Sequence, residues 1–187
     1  YKFSHGDDYI NIPNHPSLSL NNSMTISIWL KLDSFGDGAI ISKCWLDDYG
    51  DPLEVSPLRR GLRMHITNYR KADCLNQHVF ERPGWSTGFE QAIPLAKLPL
   101  KRFFQVTYTF DGEYFRAYKD GLFFAMSNKW LGSLDANKGN IQIGQIKDLW
   151  IEGKGHSYHP SFFGVADNVR LYNRALSEEE VNELYNL

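Results

Sequence analysis

Residues 162–185, FFGVADNVRLYNRALSEEEVNELY, begin with the period of a strand and end with that of a helix. In the first half Val165, Asp167, Val169 and Leu171 occupy every second position, and strand side chains point alternately to two faces. The pattern sets a carboxylate in an apolar row, where a charge must be paired, hydrogen-bonded or metal-bound to be tolerated. In the second half Ser177 precedes Glu180 by three residues, the spacing of a capping box, and Val181, Leu184 and Tyr185 form the apolar stripe of a short helix. Such a helix is expected to lie against a larger β structure.

Upstream, alternation recurs in DDYINIP (7–13), MTISIWLKL (24–32), GAIISK (38–43), RGLRMHIT (60–67), FFQVTYTF (103–110), EYFRAYKD (113–120), LFFAMS (122–127) and NIQIG (140–144). Short strands with Gly, Asp and Asn at the joints predict an all-β, antiparallel two-sheet sandwich of jelly-roll type with a short C-terminal helix. Asp111-Gly112 and Asp120-Gly121 predict two-residue hairpin turns and hence a three-strand meander. Residues 44–62 and 76–100, and the stretch KDLWIEGKGHSYHPSF (147–162), read as irregular excursions, which in a compact domain are usually functional or mobile.

The chain's 187 residues fit one domain, 1–187. A hydrophobic share of 42% with 22% charged residues is ordinary for a globular protein, and the apolar runs are far too short to span a bilayer, so membrane insertion is not expected. A net charge of -2 without a basic stripe argues against nucleic acid as a partner. Cys44 and Cys74 fit no CxxC pattern, and a disulfide and two separate thiols are equally compatible with the sequence. The start at Tyr1, without Met, reads as a mature product or an excised domain.

Aromatic residues make up 14% of the chain, and Trp45, Tyr49, Trp85, Trp150 and Tyr158 fall in or beside the expected loops among Asp, Arg and His. Aromatic planes stack on the C–H faces of sugars while polar neighbours bond their hydroxyls, so these residues are candidate ligand contacts; each could equally anchor a loop or the core. Arg63 and His65 alternate with Leu62 and Met64, giving one polar strand face, either a ligand surface or a solvated one. No GxSxG, HExxH, phosphate-binding loop or zinc spacing is present, and the Glu-rich run SEEEVNE belongs to the terminal helix.

Taken in order, FSHGDDYINIP, LSLNNSMTISIWLKL, AIISK, FFQVTYTFDGEYFRAYKDG, IQIG and FFGVADNVRLYNRALSEEEVNELY resemble the laminin G-like jelly rolls of the concanavalin A-like lectin and glucanase superfamily. Phe103 and Phe104 stand where that family usually has Trp, and Asn168 where it prefers an acid. The resemblance implies a structural calcium ion between Asp8 and Asp167, neutralising the latter; the alternative is that Asp167 accepts backbone N–H groups at a bulge or pairs with an Arg. It also makes the concave sheet bearing Arg63 and His65 a ligand surface. The paired carboxylates on one strand that the superfamily's glucanases use are missing. The expectation is a non-catalytic module that binds a polysaccharide or glycan, outside the cell, on its surface or in the periplasm. A protein-binding adhesion or receptor module with a protein ligand is the alternative.

Overall fold

Met24–Leu32 shows why the chain becomes a sandwich: Met24, Ile26, Ile28, Leu30 and Leu32 are buried on one face of the strand in a shared apolar core. The computed structural model describes residues 1–18, 23–36, 38–46, 59–67, 74–80, 91–94, 97–127, 139–144, 146–147, 158–159 and 161–187, with backbone alone at 44–46, 59–63, 65, 67, 74–80, 91–94, 146–147 and 158–159. In chain order the strands are β1 Lys2–Phe3, β2 Ile10–Ile12, β3 Met24–Leu32, β4 Gly38–Leu46, β5 Arg59–Thr67, β6 Cys74–Phe80 and β7 Gln91–Pro94. There follow β8 Phe103–Phe110, β9 Phe115–Lys119, β10 Leu122–Met126, β11 Ile141–Ile143, β12 Ile146–Lys147, β13 Tyr158–His159 and β14 Gly164–Tyr172, and then helix α1, Glu178–Tyr185.

Two six-stranded antiparallel sheets result, ordered β1-β14-β3-β8-β9-β10 and β2-β11-β4-β5-β6-β7, beside a small β12–β13 pair. The core lies between them, with Phe104, Val106 and Tyr108 from the first sheet and Ile41, Met64, Ile66 and Ile141 from the second. The outer face of the first sheet is polar yet buried, because α1 and the segment before it lie across it. Thr25 Oγ1 donates to the carbonyl of Arg174 and accepts from the N–H of Leu176, both at 2.9 Å, and Thr107 donates to Ser27 Oγ at 3.0 Å.

The helix forms as its sequence predicts. Ser177 Oγ accepts the N–H of Glu180 and Glu180 Oε2 accepts that of Ser177, completing the capping box, while Arg174 grips both Glu180 oxygens at 2.7 Å. Val181 and Leu184 pack with Tyr118 and Leu176, and the Tyr185 ring stacks on Trp29 with centroids 5.4 Å apart. Asp120 and Gly121 both have positive φ, 51° and 74°, as a two-residue hairpin requires. A Cβ at Gly121 would come within 2.9 Å of Tyr185 Cβ, so the turn also needs glycine to admit the helix.

Four readings are corrected or decided. The β8–β9 connection is a four-residue loop, not a two-residue turn: Phe110 pairs with Phe115, and Asp111 Oδ1 accepts the N–H groups of Glu113 and Tyr114 at 2.8 Å. Part of the supposed excursions is regular, since β6 and β7 extend the second sheet; Gln77, in register with the core residue Met64, interrupts the alternation that would have marked β6. Asp167 is exposed, because the β14–β3 register shifts between Asp167 and Arg170 with Asn168 at φ 47°, which turns Val169 and Leu171 towards the core and leaves the carboxylate outside. Finally, Cys44 pairs with Gly61 at one end of β5 and Cys74 with Thr67 at the other. Six residues of strand, roughly 20 Å, separate those positions, far beyond the roughly 7 Å that a disulfide spans between Cα atoms.

Candidate functional site

The second sheet places on one face what the sequence scatters over five strands. Ile41, Met64, Ile66, Ile141 and Ile143 are core residues, and the strand register lines up the positions that alternate with them. One register row runs Asn11, Gln142, Ser42, Arg63, His78 across β2, β11, β4, β5 and β6. The next register row runs Ala39, His65, Asn76, Ala92 across β4 to β7, with Ala39 fully buried. Along the first row Ser42 is buried, Gln142 half-buried and Asn11 exposed, so cover decreases towards β2. By residue type the two rows combine amide, hydroxyl, guanidinium and imidazole residues, the groups that bond sugar hydroxyls.

Of the residues singled out from sequence, Arg63 and His65 hold alternate positions of β5, in register with His78 and Asn76 of β6. Trp45 pairs with Arg60 at the end of β4. Tyr158 lies in β13, opposite Lys147. Tyr49, Trp85 and Trp150 lie outside the described residues. Sequence reasoning missed Asn76 and His78, because β6 was not visible as a strand, and Asn11, Ser42 and Gln142, because membership of a row is a property of register. Lys43 is buried on the core side; its ammonium donates to Asn14 Oδ1 at 2.8 Å and the Gly139 carbonyl at 2.7 Å, and burial lowers its pKa.

Asp8 and Asp167 do not fit a shared calcium ion. Two carboxylate oxygens on one calcium lie at most about 5 Å apart, given bonds of about 2.3–2.6 Å. Asp8 Oδ2 accepts the N–H groups of Ser4 at 2.6 Å and His5 at 2.8 Å, and these bonds hold its pKa below the usual carboxylate value. Ser4 follows Phe3, which pairs with Gly164 as the antiparallel chains run apart, so Asp167 lies about four strand residues away, roughly 13 Å. Asp167 Oδ1 instead accepts the N–H of Asn168 at 2.9 Å, the bulge bond that was the alternative reading. Among the described residues no group of three or more His, Cys, Asp and Glu side chains is placed to hold a metal.

A concavity of about 330 Å³ lies on the helix-covered side of the first sheet and is lined by Arg116, Tyr118, Phe123, Leu176, Ser177 and Glu178. Its guanidinium is already engaged, with Arg116 Nη1 2.5 Å from Asp111 Oδ2. Burial pushes the Tyr118 phenol pKa up. Next to it, the edge strand β10 exposes Leu122, Phe123 and Met126.

A laminin G family model, described as the concanavalin A-like lectin/glucanases superfamily, matches residues 4–182. The chain belongs to this superfamily. No curated protein sequence matches it. Solved structures similar to this superfamily member include domain 4 of AbnA, a GH43 extracellular arabinanase from Geobacillus stearothermophilus in complex with arabinotriose, at TM-score 0.67 and 16% identity over 98% of this chain and 75% of that one. The CBM40 of Ruminococcus gnavus IT-sialidase, bound to α2,3 sialyllactose, gives 0.67 and 17% over 99% and 95%. The botulinum neurotoxin serotype D binding domain gives 0.66 and 17% over 99% of this chain and 41% of that one. At such identities the likeness establishes the fold, and the chemistry must come from this chain's own residues. Among the described residues no helix is long and apolar enough to cross a membrane.

Proposed function

We propose that the chain is a non-catalytic carbohydrate-binding module that holds a polysaccharide or glycan on the outer face of its second sheet, as one domain of a larger secreted, surface or periplasmic protein. The observation that carries this reading is the polar row Asn11, Gln142, Ser42, Arg63, His78 on the sheet that α1 does not cover. Two of the similar structures are sugar complexes, which supports a glycan ligand for this fold. A glycan-array screen of the purified chain over plant, algal and bacterial polysaccharides tests the proposal: selective binding is expected, and a clean negative overturns it.

A protein-binding module is the second reading. It is favoured by the edge of the first sheet, where Leu122, Phe123 and Met126 of β10 are 66%, 46% and 49% exposed. Apolar side chains on an unpaired strand edge suit strand addition by another polypeptide. Under this reading substitutions on β10 abolish partner capture and those at Arg63 do not.

A further inference from the structure

We propose that one end of the first sheet is a separate interaction surface, which attaches the chain to an anionic lipid membrane as a peripheral protein. The proposal stands independently of the glycan reading. The register sets Lys2, Val165, Lys31 and Phe103 in one row across β1, β14, β3 and β8. Their chain neighbours Phe3, Ala166, Leu30, Leu32 and Phe104 are core residues, so the row lies on the outer face. Phe103 is 49% exposed, with the Lys31 ammonium 5.7 Å from its ring centre. Just beyond the row Leu32 bridges Leu100, and its carbonyl accepts the N–H of Lys101 at 2.7 Å. The Phe163 carbonyl accepts that of Asp33 at 2.9 Å. These contacts hold Leu100 and Phe163, 42% and 41% exposed, at the same end as Phe103.

Cations collect around these apolar groups. Lys2 is exposed and Lys31 half-buried in the row, and the segment KLPLKR (97–102) that leads into β8 adds Lys97, Lys101 and Arg102, all exposed. Against these five, the same register and bonds place Asp167 and Asp33, and the connection from β3 to β4 adds Asp37. The end is thus net positive in a chain whose net charge is -2. Exposed apolar side chains among lysines and arginines suit a bilayer interface. The apolar groups enter the boundary between headgroups and acyl chains, and the cations meet lipid phosphates and carboxylates with their stems along the apolar layer. An acidic protein would satisfy the charge, but a lipid surface also takes up Leu100, Phe103 and Phe163 without a matching shape.

Co-sedimentation of the purified chain with vesicles of phosphatidylcholine, alone or mixed with phosphatidylserine, at low and high salt, tests the proposal. Binding to the mixed vesicles, weakened by salt and faint on phosphatidylcholine alone, is expected. A basic residue near an anionic surface contributes about five-fold in affinity, so Lys101→Gln combined with Arg102→Gln should weaken binding about 25-fold. Phe103→Ser and Phe163→Ser, at exposed positions, should each weaken it in a folded chain, and Phe123→Ser on β10 should bind as the wild type does. Absence of binding to the mixed vesicles, or unchanged binding in the folded Lys101→Gln, Arg102→Gln protein, overturns the proposal. Equal binding to soluble polyglutamate, with Phe103→Ser and Phe163→Ser as tight as wild type, overturns the lipid assignment in favour of an acidic protein partner.

Discussion

Leu184→Ala tests whether α1 is bound to the first sheet through its apolar stripe. Leu184 is 6% exposed in a small cluster with Tyr118, Leu176 and Val181, apart from the main core. Leu-to-Ala changes in cores cost about 2–5 kcal/mol, and a peripheral cluster able to relax belongs at the low end, about 2–3 kcal/mol. For a chain of this size each kcal/mol shifts Tm by about 2–4 °C, so a fall of about 4–12 °C is expected. Leu187, 92% exposed, is the internal control. Its alanine variant should stay within about 0.5 kcal/mol of wild type. Thermal unfolding followed by circular dichroism provides the readout, and glycan titration well below Tm should be unchanged in both variants. Equal melting temperatures for the two variants would refute the docked helix, and lost glycan binding in a folded Leu184→Ala protein would refute the assignment of the ligand to the other sheet.

Removing the cap with Ser177→Ala should cost about 1 kcal/mol, measured by chemical denaturation. The Arg174 pair and the Ser177 N–H hold the Glu180 carboxyl at about 2, below its ordinary 4.5. Its depressed value means that its contribution is present above about pH 4.5 and lost as pH falls towards 2. The Tm gap between wild type and Glu180→Gln should therefore close over that window, and a gap independent of pH would count against the ion pair. Mass measurement after alkylation without reductant should find Cys44 and Cys74 unlinked to each other; a crosslinked peptide would contradict the β5 register. Asp167→Asn should leave any response of Tm to EDTA or calcium as it is in the wild type, whereas loss of such a response would restore a metal to that carboxylate.

Much of the fold was legible because β3 and β8 alternate without interruption and Asp120-Gly121 announces its hairpin. The terminal helix was equally plain from Ser177, Glu180 and its stripe. The sequence hid the bulge at Asn168, since one residue with positive φ reverses the facing of every residue after it, and so Asp167 looked buried. It hid β6 because Gln77 falls where an apolar residue would have kept the period. The candidate surface was half legible for a related reason: alternation places Arg63 and His65 on one face of one strand, but only inter-strand register reveals Ser42, Gln142, Asn11 and His78 beside them.

The most direct test of where the ligand sits is hydrogen–deuterium exchange of the chain with and without the best-binding array glycan. Slowed exchange concentrated in β4, β5 and β6, with β10 and α1 unaffected, is the expected result. Protection confined to β10 and α1, with β5 unchanged, would contradict the account and move the binding surface to the other sheet.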